Sequence, residues 1–118
     1  MKIYIICPVT RATEEQKREM DNYVASLEKE GHQVHYPPRD VDQNDPTGFV
    51  LYMSHKDAMK KCDRVDIFWD KTSTGSISDL GMAIMSEKKI KLVKSYYEDT
   101  PGKTFLKIIK ILEEKTKE

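Results

Sequence analysis

The chain has 118 residues, enough for one domain with a single core and too few for two. Its 20 lysines and arginines balance 20 aspartates and glutamates, so no net field favours a nucleic-acid backbone or an anionic membrane surface. At 38% hydrophobic and 34% charged residues it reads as a soluble domain that meets a small molecule or another protein. No stretch approaches the ~18 apolar residues that a bilayer span needs, and the opening MKIYIICPV is too short for a signal peptide. Cys7 and Cys62 lack metal-ligand spacing and read as reduced, buried thiols of a cytoplasmic protein.

The elements alternate along the chain. KIYIIC (2–7) is a short apolar run rich in β-branched residues and predicts a buried strand. Thr13 and Gln16 form a capping box, after which Met20, Tyr23, Val24 and Leu27 recur at helical spacing until Gly31 stops the helix. HQVHY (32–36) predicts a second strand, and the Pro-, Asp- and Asn-rich segment 37–48 a long loop. Tyr52, His55, Met59 and Cys62 mark a helix over 49–62. RVDIFW (64–69) is a third strand, 76–88 a helix, IKLV (90–93) a fourth strand, and 103–115 a closing amphipathic helix.

Such alternation predicts a single α/β domain over 1–118, a parallel sheet of four to five strands with helices on both faces. Ligands of these sheets bind outside the carboxyl ends of the strands, at the point where strand order reverses. The residues that follow those ends are therefore the candidates: Cys7 to Arg11, Pro37 to Asp40, and Asp70 to Asp79. At the first corner, Cys7 and Arg11 have three residues between them and no glycine, too short a loop for a phosphate-cradling cysteine. The corner also lacks the paired acids of a phosphorelay receiver.

The third corner carries Asp70, Ser73, Thr74, Gly75, Ser76 and Asp79 within ten residues. Ser76 to Asp79 fits a capping box with Ser76 as N-cap, so Asp79 either satisfies backbone donors or presents a carboxylate to a ligand held by the helix N-terminus. His55 reads as a packed, hydrogen-bonded histidine or as a proton donor near neutral pH. Arg39 reads as a solvated loop charge or as a partner for a ligand phosphate. His32 and His35 belong to no cluster in the sequence, and no metal site or cofactor motif is visible.

CDRVDIFWDKTSTGSISDLGMAIMSEKKIKLV resembles the nucleoside 2-deoxyribosyltransferase family, in which a Cys-Asp or Ala-Asp pair precedes a strand ending in Asp, a Ser/Asp-x-Gly turn and Glu-Leu-Gly-x-Ala. KIYIICPV is similar to that family's opening strand, and the order of loop and helix between them agrees across nearly the whole chain. The resemblance implies a flavodoxin-like fold acting on the N-glycosidic bond of a nucleoside or nucleoside 5′-monophosphate, as hydrolase or transferase. It puts the family's catalytic glutamate at Asp79, a conserved-role tyrosine at Tyr4, and the sugar- or phosphate-holding turn at Gly75 and Ser76. His55 then joins Asp79 and Tyr4 as a catalytic candidate. Cys7, Pro8, Arg39, Asp40, Asp70, Ser73, Gly75 and Ser76 are the substrate-binding candidates.

The departures from the family pattern are specific. Asp79 is one methylene shorter than glutamate, and a ~1 Å displacement at a reacting centre can cost on the order of 10²-fold in rate. Family acids fall on Ser73 and His55, and a glycine of the first corner falls on Cys7. A catalytically weakened nucleotide-binding module of the same fold is therefore the alternative. The apolar stripe on helix 49–62, together with the oligomeric habit of the family, predicts at least a homodimer through that helix.

Overall fold

The computed structural model describes residues 1–117. Four parallel strands, β1 (Lys2–Ile6), β2 (Gln33–His35), β3 (Arg64–Trp69) and β4 (Lys89–Ser95), lie in the order β2-β1-β3-β4. This is the flavodoxin-like order without a fifth strand among the described residues, and strand order reverses between β1 and β3. Five helices connect and flank the strands: α1 (Glu14–Lys29), α2 (Pro37–Asp40), α3 (Phe49–Lys61), α4 (Thr74–Met85) and α5 (Phe105–Lys115). No helix among the described residues is long and apolar enough to cross a membrane.

Period-two alternation divides the core into two layers. Tyr4, Ile6, Val65, Ile67 and Trp69 face α3, α4 and α5, where Met59, Leu80, Ala83, Leu106 and Ile109 close over them. Ile3, Ile5 and Phe68 face α1 through Met20, Val24 and Leu27. The helical spacing read along α1 is thus the spacing of its buried face. Its capping box is formed: Gln16 N donates to Thr13 Oγ1 at 3.1 Å, and Thr13 N to Gln16 Oε1 at 3.0 Å. Gly31 follows the helix at φ +96°, a left-handed position that costs glycine little.

Most elements differ from the sequence reading by one to three residues at an end, and three differences have a clear physical cause. Residues 37–40 are a short helix inside the expected loop, because Pro37 at its first position supplies a helical φ and needs no donor. Helix α4 starts at Thr74 and is capped by Ser73, whose side chain accepts from Ser76 N at 3.3 Å. Ser76 is therefore not the N-cap, since Asp70 turns the chain two residues early by accepting from Thr72 N at 2.8 Å and Thr72 Oγ1 at 2.6 Å. Strand β4 runs to Ser95, past the apolar run, because its register shift beside Ile67 and Phe68 lets Lys94 and Ser95 go on pairing with β3.

The α1 side of the sheet also buries a charge. Asp66 is fully buried on β3 and accepts from Arg64 Nε at 2.6 Å, Arg64 Nη2 at 2.9 Å and Tyr23 Oη at 2.6 Å. Removing one partner of such a pair leaves an uncompensated carboxylate in the core. Arg64→Met is expected to lower unfolding free energy by about 2–4 kcal/mol, since Arg64 keeps some contact with solvent that water can take over. Urea titration of the two proteins at neutral pH measures it, and a loss well below ~1 kcal/mol would mean that Asp66 is held by Tyr23 alone.

Candidate functional site

A crevice of about 310 Å³ opens at the carboxyl ends of β1 and β3, beside the reversal of strand order. Its walls come from the first corner (Cys7, Pro8, Thr10, Arg11), from Pro37 and Gln43, from α3 (Leu51, His55), and from the third corner (Asp70, Thr72 to Ser76, Asp79). All three segments named by the strand-end rule meet there.

Asp79 lines the crevice and is 5% exposed. Its Oδ2 accepts from Tyr4 Oη at 2.9 Å, a bond that joins α4 to the central strand across 75 residues of sequence. Its Oδ1 stands 3.5 Å from His55 Nδ1, an ion-pair distance too long for a good hydrogen bond, and has no hydrogen-bonding partner. Asp79 therefore does not serve as a helix cap, because its carboxylate points away from the backbone donors toward β1 and α3. Burial, then the charge and hydrogen bond of Asp79, push the Tyr4 phenol far above its usual range, so it remains a donor.

The other candidates sort by what they touch. Asp70 is buried and spends Oδ1 on Thr72, so it shapes the corner. Ser73 caps α4. Ser76 is buried, and its Oγ has no hydrogen-bond partner. Gly75 is exposed, and a Cβ there would meet nothing within 4 Å, so the space over the helix N-terminus is open. Cys7 is buried, and burial foremost, then the charges of Asp79 and Asp21, push its thiol upward, which keeps it protonated and unreactive near neutral pH. Pro8 forms part of the wall.

Arg39 and Asp40 are not in the crevice. Arg39 is held on the outer side of α1, donating to Asp40 Oδ1 at 2.7 Å, Glu28 Oε1 at 2.9 Å and Val34 O at 3.2 Å. Asp40 accepts from Tyr36 N at 2.8 Å as well as from Arg39. The cause is α2: once Pro37 starts a helix, the next residues turn back over α1. Both belong to or adjoin a larger groove of about 640 Å³, but the polar groups of that groove are already paired, Arg39 with Glu28 and Tyr36 Oη with Asp21. Arg11, by contrast, lines the crevice and has no ion-pair partner among the described residues.

One participant was invisible in the sequence. His35 does belong to a cluster: its ring lies 5.0 Å from that of Tyr4 and 6.1 Å from that of His55. Only the parallel pairing of β2 with β1, which sets His35 beside Tyr4, brings these rings together. Among the described residues, no group of three or more histidine, cysteine, aspartate or glutamate side chains is arranged to hold a metal ion.

No family model and no curated protein matches the chain. Solved structures do. The chain is similar to the CMP N-glycosidase of Clostridium botulinum, with TM-score 0.69 and 18% identity, over 95% of this chain and 82% of that one. It is also similar to a 2-deoxyribosyltransferase of Bacillus psychrosaccharolyticus, with TM-score 0.68 and 19% identity, over 85% and 77% of the two chains. A 2-deoxyribosyltransferase of Leishmania mexicana matches with TM-score 0.57 and 19% identity, over 81% of this chain and 65% of that one. At such identities the likeness is one of fold: the chain has the fold of the nucleoside 2-deoxyribosyltransferases.

Proposed function

We propose that the protein cleaves or transfers the N-glycosidic bond of a nucleoside 5′-monophosphate, with Asp79 as the reacting carboxylate. One observation carries the reading: Asp79, a lining residue of the crevice, is fixed through one oxygen by Tyr4, while its other oxygen is buried without a hydrogen-bonding partner among the described residues. That is what a group needs if it is to meet an electron-poor carbon without first reorganising. As the bond from sugar carbon to base nitrogen breaks, its electron pair leaves with the base, which takes up a proton. The Asp79 carboxylate bonds to that electron-poor carbon or stabilises its positive charge, and water or a second base then forms the new bond to the carbon, displacing Asp79 and giving up a proton, to complete hydrolysis or transfer. His55, which lines the same crevice and adjoins Asp79, is the proton donor. Two of the three structural neighbours are named as transferases and one as a glycosidase, which supports the bond but not the choice between outcomes.

The test is release of free base from a panel of nucleosides and their 5′-monophosphates, repeated with a second base to detect exchange. Asp79→Asn is expected to abolish release, by ~10³-fold or more, while keeping Tyr4 Oη supplied with an acceptor. Binding without release in the unmodified chain would favour the alternative, a nucleotide-binding module whose shortened carboxylate no longer reaches the sugar.

The phosphate is read from the charge inventory. A family acid is replaced by Ser73, the open N-terminus of α4 offers backbone donors, and Ser76 Oγ is buried in the wall without a partner. Arg11 supplies the one unpaired cation of the wall among the described residues. A nucleoside 5′-monophosphate is expected to bind at least ~10-fold (about 1.4 kcal/mol) tighter than its nucleoside, and Arg11→Ala to erase most of that gap. Equal calorimetric affinities for the two ligands would rule the phosphate out.

Two copies are proposed to join through α3. Phe49 is 66% exposed and Val50 70%, an apolar start to a helix whose other side walls the crevice. Sedimentation at micromolar concentration is expected to give twice the chain mass, and Phe49→Asp to return it to one. A single-chain mass in the unmodified protein would remove the dimer from the reading.

A further inference from the structure

One half-buried titratable side chain near Tyr4 and His55 has no part in the chemistry above. His35 is the last residue of β2, and the strand register pairs its Cα with that of Tyr4. Its ring leans on Tyr4 at 33° and meets His55 edge-on at 78°. Tyr4 and His55 are the two side chains that reach the Asp79 carboxylate, one through each oxygen. His35 therefore backs both of them, while its own Nε2 is buried and has no partner. The Nε2 of His55 is in the same condition.

We propose that His35 is a positioning residue for Asp79: its ring holds Tyr4 and His55 toward the carboxylate, and the two histidine rings stand close enough to compete for a proton. The proposal rests on the N-glycosidic reading for its catalytic consequence and on geometry alone for the linkage between the histidines. Two imidazoles with centroids 6.1 Å apart repel when both are charged. Every neighbouring element contributes to the balance. Tyr4 faces His35 from β1, His55 from α3, Asp79 from α4, and Asp40 and Arg39 from α2, while Lys2, Lys61 and Cys62 share a shallow cavity with it. Burial is the largest influence and lowers the proton affinity of His35; His55 and Arg39 add to it, and Asp40 and Asp79 oppose it without prevailing. A proton on His35 would repel the one on His55 that the departing base requires. His35 thus acts through its neighbours and touches no substrate.

The experiment follows the histidine ring protons by NMR through a pH titration of the unmodified chain, His35→Phe and His55→Phe. Phenylalanine keeps a ring against Tyr4 but takes no proton. In His55→Phe the His35 signals are expected to titrate about half a unit higher or more, and in His35→Phe the His55 signals to lose their second, acid inflection. Base release is measured beside it. His35→Ala is expected to lower kcat about tenfold with KM within about twofold, and His35→Phe to restore most of kcat at neutral pH with a shallower fall on the acid side. If the alanine variant does not fold, the phenylalanine variant and the titrations carry the test. Histidines that titrate in single steps, indifferent to each other's removal, would overturn the proposal, as would unchanged kcat and acid limb in a folded His35→Ala. Linked titrations in a chain that releases no base from any substrate would uphold the pairing and sink the N-glycosidic reading instead.

Discussion

Asp79 is a carboxylate at 5% exposure, and a charge withdrawn that far from water is costly unless other groups replace the water. Tyr4 does so on one side at 2.9 Å, and on the other no hydrogen-bond donor among the described residues does, the His55 ring standing off at 3.5 Å. The position of Tyr4 is in turn set by the central strand: β1 lies between β2 and β3, and a phenol rooted there cannot move without the sheet. Helix α4 must then start where Asp79 reaches that phenol. The early turn at Asp70, the cap at Ser73 and the contact of Tyr52 Oη with Ser78 Oγ at 2.5 Å, which ties α3 to α4, all hold it there.

The two faces of the sheet treat buried carboxylates in opposite ways. Asp66 has three donors on its two oxygens and a guanidinium to neutralise it, so its electrostatic demand is met within the chain. Asp79 has one donor and a neighbouring imidazole at 3.5 Å. Both lie on or beside the central strands, and both are inaccessible from most directions. The difference is that Asp79 lines a crevice and keeps one oxygen without a hydrogen-bonding partner among the described residues. That contrast separates a carboxylate whose electrostatic demand the fold meets from one whose demand it leaves partly open.

Much of this arrangement is legible in residue order. The third strand was read at its observed bounds, and the crevice-forming corners follow from alternation and the strand-end rule, which needs only the sequence of elements. Asp79, Tyr4 and His55 were named together through family resemblance, and the structure does bring them together. What was not legible depended on contacts between distant segments. Arg39 follows a proline that could end a strand or begin a helix, and only the second choice sends its guanidinium to Glu28. Ser73 and Ser76 both suit a cap, and the Asx turn at Asp70 decides between them. His35 is a lone histidine on a three-residue strand until the register places it against Tyr4.

The sheet's outer strands have a further consequence. β2 offers only three residues of edge, and β4, at the other side, carries exposed Lys89, Lys91 and Lys94 along its length. A short edge gives a foreign strand too few hydrogen bonds to hold, and a row of ammonium groups makes burial beneath a second copy expensive. Backbone pairing between chains is thereby discouraged at both ends of the ladder. Neither outer strand presents the long, flat, apolar edge on which cross-β stacking is templated, so contacts between copies fall to side chains on the helices.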